Sequence, residues 1–191
     1  MSNIEIEIQV KVERVESLID FLAREAMFKA QKLQVDEYYS PPHNDFLAVR
    51  PVREWLRLRD ADGTHSINYK NWYYDADGKS QYCDEYETKV EDSEKLRLIF
   101  EALGYRKIAV VDKVRKTWVY KDYEVALDSV KGLGDFVEIE YVGADASAEP
   151  QAITNKMASF LKEVGCGKIE RNYVGYPFQI LFPDEVMFEE Q

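Results

Sequence analysis

Histidine and cysteine are almost missing from this chain of 191 residues; His43, His65, Cys83 and Cys166 are the full complement. Two cysteines are too few for a zinc cluster, and two histidines argue against a histidine-based zinc site. The separation of the cysteines says little about a disulfide, so a reduced, cytoplasmic setting is the default expectation. Positive charge is also short, with 25 Lys and Arg against 36 Asp and Glu and a net charge of -11. That balance argues against a general nucleic-acid-binding surface, though it leaves room for a local basic pocket that takes a polyanion. No apolar run reaches transmembrane length and the N-terminus has no signal-peptide pattern. The chain therefore reads as soluble, with neither nucleic acid nor membrane as a partner. A glycine-rich P-loop with its lysine is absent too, which excludes a P-loop ATPase. What the chain does have is 13 tyrosines, a strand-rich pattern and enough length for one domain, residues 1–191, with a full core.

The organising stretch is Asn3 to Val12. Ile4, Ile6, Ile8, Val10 and Val12 alternate strictly with Glu5, Glu7, Gln9 and Lys11, the pattern of a strand with one apolar and one charged face. A lone charged face is ordinarily solvated; a functional face needs a second carboxylate strand and a basic lining, and both occur later. Helical spacing follows over Val15 to Phe28, through Val15, Leu18, Ile19, Leu22, Ala23 and Ala26. A strand is expected over Leu33 to Tyr39, then a proline-containing loop from Ser40 through Pro51. Trp55, Arg57 and Arg59 share one face of the next strand. Strands over His65 to Asn71 and Tyr82 to Val90 are separated by turn signals, and pattern alone does not assign the core face of the second. Asp92 or Ser93 caps a helix reaching Leu103. Strands follow over Ala109 to Tyr120, Tyr123 to Asp128 and Phe136 to Tyr141, then a helix from Ala148 to Val164 ended by Gly165. The tail begins at Arg171, Tyr173 is placed to close a site, and the acidic last residues are expected to fray. The order of strand, helix and strands occurs twice, a weak internal duplication with Glu5 and Glu85 as counterparts.

The charged residues of these strands recur at period two. Arg57, Arg59, Lys70, Lys113 and Arg115 converge if their strands enclose a cavity, where arginine would bind paired phosphate oxygens and lysine would act as a point charge. Glu5 with Glu7, and Glu138 with Glu140, form carboxylate pairs whose hard oxygens suit Mg²⁺ or Mn²⁺. Charges of both signs inside a barrel need each other or a ligand.

With those residues in view, the chain resembles the CYTH superfamily, the triphosphate tunnel metalloenzymes named for CyaB adenylate cyclase and thiamine triphosphatase, and within it the class IV adenylate cyclase-like branch. The resemblance runs from Glu5 to Tyr176. The hallmark Glu-x-Glu-x-Lys is seen as Glu5-Ile-Glu-Ile-Gln9, so both carboxylates match and Gln9 stands where the lysine usually stands; Lys11 follows two residues later on the same face. Leu56 to Arg59 resembles the phosphate-facing basic strand, Lys70 the next tunnel lysine, and Lys113-Val-Arg115 the Lys-x-Arg strand. Asp128 with the run Gly132 to Glu140 is similar to the branch's long signature, and Glu85 with Glu87 to an accompanying acidic pair.

The resemblance implies an α+β fold, an eight-stranded antiparallel β tunnel with external helices, where composition alone implies only an α+β domain. It implies Glu5, Glu7, Asp128, Glu138 and Glu140 as Mg²⁺ or Mn²⁺ carboxylates. Arg57, Arg59, Lys70, Lys113 and Arg115 would bind substrate. Glu5, Glu7, Lys11, Arg59, Lys70, Lys113 and Arg115 would serve the chemistry. The implied ligand is a nucleoside triphosphate or another triphosphate, and a homodimer is a family-level expectation. Three activities stay open: adenylate cyclase chemistry, converting ATP to cyclic AMP and pyrophosphate; metal-dependent triphosphate hydrolysis; and binding without turnover, which Gln9 makes more plausible.

Overall fold

The structure is a computed structural model that describes residues 4–144 and 149–191. Asn3 and Ala148, expected to start a strand and a helix, lie outside the described residues. The alternating N-terminal stretch forms β1 (Ile4–Glu5) and β2 (Glu7–Val12), one extended run interrupted at Ile6. After α1 (Val15–Glu25) come β3 (Met27–Ser40), β4 (Glu54–Ala61), β5 (Thr64–Tyr74) and β6 (Ser80–Val90). Helix α2 (Ser93–Ala102) precedes β7 (Arg106–Tyr120), β8 (Tyr123–Val130) and β9 (Gly134–Tyr141). The chain ends with α3 (Pro150–Val164), β10 (Ile169–Asn172), α4 (Tyr176–Leu181) and β11 (Glu189–Glu190). Strand, helix and strands thus recur in the expected order.

All pairings are antiparallel, in the order β1-β6-β5-β4-β3-β7-β8-β9-β2-β10-β11. β1 pairs with β6 through Ile4↔Asp84 and Glu5↔Cys83, while β2 pairs with β9 from Glu7↔Glu140 to Val10↔Val137. Because β1 and β2 are one run of chain, the two ends of the sheet meet at the N-terminal stretch. The sheet is curled into a tunnel wall, not hydrogen-bonded into a continuous ring. With β1 and β2 taken together the wall has eight strands, and β10 and β11 extend it beyond β2.

Curling gives each strand an inside and an outside. On the outside of β1–β2, Ile6, Ile8 and Val10 pack with Leu18 and Leu22 of α1 and with Met157, Phe160 and Leu161 of α3. Each large apolar side chain so buried contributes roughly 1.5–3 kcal/mol. Phe100 of α2 covers Tyr39 and Leu58. α4 brings Tyr176 and Phe178 against Trp55, Val111 and Phe136.

Several boundaries differ from the sequence expectation. Helix α1 stops at Glu25, not Phe28, and β3 starts at Met27, not Leu33. Residues 27–32 pair with β7 from Met27↔Val119 to Lys32↔Arg115, with a register shift between Phe28 and Ala30 that leaves Lys29 without a partner strand residue, and that long-range pairing outweighs local helical spacing. Helix α3 begins at Pro150, where proline's missing N–H is no loss. The acidic end is not frayed: Glu189 and Glu190 pair with β10, and Glu189 bonds Lys79 at 2.6 Å.

Candidate functional site

The inward faces enclose a cavity of about 380 Å³. Its wall takes side chains from every strand of the curl: Glu5 and Glu7 from the N-terminal run, Asp36 and Tyr38 from β3, Arg57 and Arg59 from β4, Asn68 and Lys70 from β5, Glu85 and Glu87 from β6, Lys113 and Arg115 from β7, Glu124 from β8, and Glu138 and Glu140 from β9. Period-two alternation puts each pair on the same side of its strand. The polar face of the first strand is therefore not solvated: Glu5 and Gln9 are each 8% exposed.

The cations are held from behind by buried acids. Asp36, 1% exposed, accepts from Arg59 Nε and Nη2, both at 2.7 Å, and Arg57 stands 4.0 Å from it. Asp128, 2% exposed, accepts from Lys113 Nζ at 2.9 Å, from Arg115 Nε at 2.7 Å and Nη2 at 2.5 Å, and from the Tyr176 hydroxyl at 2.9 Å. Arg115 Nη2 also donates to Glu138 at 2.6 Å. In both arginines the bonded edge is Nε and Nη2, which leaves Nη1 for a ligand. Burial works against the charged form of Asp36 and Asp128, but their arginines outweigh it and hold both carboxyls well below the usual range. Lys113 is pushed the other way, down to about 8, by burial and by Arg115 beside it.

The remaining acids gather around Lys70. Lys70 Nζ bonds Glu5 at 2.5 Å and lies 3.8 Å from both Glu7 and Glu85. Burial opposes ionisation of Glu5, but Lys70 and the Cys83 thiol, which donates at 3.1 Å, bring its pKa to about 2. Glu7 is raised well above the ordinary value by burial and by Glu5, Glu138 and Glu140, with Lys70 only partly offsetting them. Burial and Glu5 push Glu140 up to about 8. Glu138 is half-buried, and Arg115 and Lys113 outweigh that burial and keep it below its usual value. Eight carboxylates and six cationic side chains line the cavity, so its acid side is short of positive charge.

The sequence-predicted residues thus fall into two groups. Glu5, Glu7, Arg57, Arg59, Lys70, Lys113, Arg115, Glu138 and Glu140 share the wall. Asp128 is not among the lining residues and is fully taken up by Lys113, Arg115 and Tyr176. Lys11 stands apart, its Nζ 4.9 Å from the ring centre of Phe136 and 5.1 Å from that of Phe188. Tyr173, expected to close the site, lines a neighbouring small pocket, and Tyr176 lies on the main cavity instead. Sequence reasoning missed Asp36, Asn68 and Tyr176 as site residues. Asp36 and Asn68 carried a signal, since period two puts Asp36 on one strand face with Tyr38 and Asn68 on one face with Lys70; Tyr176 carried none.

A tunnel wall built this way, basic on one side and acidic on the other, is matched by one family model, the CYTH domain, over residues 3–179. The chain belongs to the CYTH family. Among similar proteins is one named "Putative adenylate cyclase" from Methanocaldococcus jannaschii, 33% identical over 175 residues, which are 90% of this CYTH chain and 97% of the relative. The PH1819 protein from Pyrococcus horikoshii superimposes with a TM-score of 0.75 at 27% identity, covering 95% of this chain and 99% of that one. A Hippeastrum protein, named a "Putative adenylyl cyclase" with a dominant triphosphatase activity, shares the CYTH fold at 20% identity, with a TM-score of 0.63 over 96% of this chain and 97% of that one. No helix among the described residues is long and apolar enough to cross a membrane.

Proposed function

We propose that the cavity binds a triphosphate together with divalent cations and catalyses attack on one of its phosphorus atoms. One observation carries this reading: guanidinium and ammonium groups from β4, β5 and β7 point into one cavity and face carboxylates from β1–β2, β6 and β9. In the proposed complex Nη1 of Arg59 and of Arg115 binds phosphate oxygens, with Asp36 and Asp128 holding the two forks in place. Arg57, Lys70 and Lys113 supply further positive charge to oxygens that gain charge as the bond to the leaving group lengthens. Asp128 acts as a positioning carboxylate, and Lys11 has no part in this arrangement.

The donor chemistry of the acid side fits Mg²⁺ or Mn²⁺, since Glu5, Glu7, Glu138 and Glu140 offer only hard oxygens. A triphosphate would bring still more negative charge into a wall already richer in carboxylates than in cations, so accompanying cations are needed. Among the described residues no three such side chains are gathered closely enough to hold an ion as they stand. Glu5, Glu7, Glu138 and Glu140 are the side chains that would hold one. When bound, the ion would supply charge neutralisation and orientation of phosphate oxygens.

Adenylate cyclase-like chemistry, in which the ribose 3′-hydroxyl of ATP attacks the α-phosphorus and pyrophosphate leaves, is the first reading; the name of the 33% identical relative supports it. Hydrolysis of a terminal phosphate is the second. It is favoured by a lining that is mostly charged, with aromatic surface confined to Tyr38, Trp55, Trp72 and Tyr176, which leaves little to grip a base. Product analysis with ATP and with inorganic triphosphate, in matched Mg²⁺ and Mn²⁺, separates them. Cyclic AMP with pyrophosphate supports the first and orthophosphate without cyclic product the second. Tight binding with no product from any triphosphate would overturn both in favour of a binding module.

A further inference from the structure

Beside the main cavity lies a pocket of about 30 Å³ that shares Glu7, Gln9, Trp55, Trp72 and Gly175 with it. Its distinctive member is Arg171 of β10, 4% exposed. Nη2 of Arg171 donates weakly to the Ser80 carbonyl at 3.4 Å, and the guanidinium lies 4.5 Å from the Tyr173 ring centre. Nε is buried with no hydrogen-bond partner. Among the described residues no carboxylate pairs with this guanidinium. The acids that act on it from farther away are Glu7, Glu189 and Asp75. Each is engaged elsewhere: Glu7 is 3.8 Å from Lys70, Glu189 is bonded to Lys79, and Asp75 accepts from Asp77 N, Lys79 N and Gln81 Nε2. A buried guanidinium without a counter-ion is costly unless something negative joins it.

Gln9 lines the same space, and the assignment of its amide follows from the backbone. The Val174 N–H can only donate, and it donates to Asn172 Oδ1 at 3.1 Å. Asn172 must then present Nδ2, which donates to Gln9 Oε1 at 3.2 Å, and Gln179 Nε2 donates to the same oxygen at 2.8 Å. With Oε1 occupied by two donors, Nε2 is the group of the Gln9 amide left to donate. The pocket therefore offers unfilled donors beside acceptors already in use.

We propose that this pocket is a second anion site, in which one phosphoryl or carboxylate group binds between Arg171 Nε and the Gln9 amide. The site stands independently of turnover, so a protein without catalytic activity would still show it. The probes are orthophosphate and tripolyphosphate, measured by calorimetry on the full chain. Arg171→Met is expected to weaken orthophosphate binding at least about tenfold, the scale of one lost charge-assisted hydrogen bond. Asn172→Ala, which removes one of the two donors that hold the Gln9 amide, is expected to weaken it by a smaller factor. Further orthophosphate uptake by tripolyphosphate-saturated protein would identify a separate small anion as the occupant; exclusion, together with a weaker tripolyphosphate Kd in Arg171→Met, would identify the end of the tunnel ligand. Equal affinities of wild type and Arg171→Met for both probes would overturn the site. If the variants do not fold, crystals of the wild type soaked in selenate decide: an anomalous peak within hydrogen-bond distance of Arg171 Nε is expected, and peaks confined to Arg59 and Arg115 would overturn it.

Discussion

Asp36 and Asp128 fix the guanidiniums of Arg59 and Arg115, so in the proposed reading a change at either arginine has two consequences. Arg59→Ala removes a phosphate donor and is expected to weaken triphosphate binding by about 1.5–3 kcal/mol. It also strands Asp36, and breaking a buried pair by removing one partner costs about 3–5 kcal/mol of stability. Adding Asp36→Asn to Arg59→Ala should recover much of the stability and none of the affinity; urea denaturation and calorimetry on the same samples test this. Glu140 leads to a pH prediction. Its folded pKa, about 8, lies above the 4.5 of an unperturbed glutamate, so the folded state binds the proton more tightly than the unfolded chain. The resulting stability is full below about pH 4.5 and is lost as pH rises toward 8. Metal-free protein should therefore lose thermal stability across that window, and Glu140→Gln should flatten the loss. A melting series without and with Mg²⁺ or Mn²⁺ checks both parts, because a bound cation would restore stability at the alkaline end.

At the scale of elements, the helices stabilise the tunnel from outside without entering it. Leu22 of α1 is 0% exposed among Ile8, Met157 and Leu161. Leu22→Ala is expected to cost about 2–5 kcal/mol in urea denaturation while leaving triphosphate affinity unchanged in the folded fraction. Equal loss of affinity would mean that α1 shapes the cavity after all. The helix boundaries show how far local signals reach. Asp92, expected as a cap of α2, accepts from the Lys95 N–H at 2.9 Å, and Gly165 closes α3 at φ 86°. Both signals are short-range chemistry and were legible in the residues. The early start of β3 was not, because its partner is more than 80 positions away on β7.

For the whole molecule, a net charge of -11 surrounds a cavity that must admit a polyanion. The long-range field opposes entry, and attraction resides in the local cation set. Salt should screen both, but the cations lie within the cavity and act at close range, so triphosphate binding is expected to weaken across a KCl series. Glu138→Gln tests the acid side. It preserves size, removes one carboxylate charge and keeps an acceptor for Arg115, so the fold should survive. Turnover should fall sharply, and excess Mn²⁺ should restore part of it. Wild-type turnover with an unchanged metal titration in the folded variant would remove Glu138 from the ion site.

The residues themselves determined the alternating first strand, the paired charges on β4, β7 and β9 and the amphipathic helices, because period two and period 3.6 are written locally. They also carried the resemblance that implied a tunnel, and the curled sheet agrees with it. Only the tertiary structure decided which face of each strand is the inside. Glu85 and Glu87 on β6 could not be assigned by pattern, since both faces of that strand are mixed; curling turned these two toward Lys70 and Arg57. The same curl separated acids that look alike in sequence. Asp128 lies under Lys113 and Arg115 and is neutralised there, while Glu140, from the adjacent strand, faces other carboxylates and keeps its proton to about pH 8. Charge is a property of the residue, but its partner, and with it its pKa and its use, depends on which distant strand folds opposite.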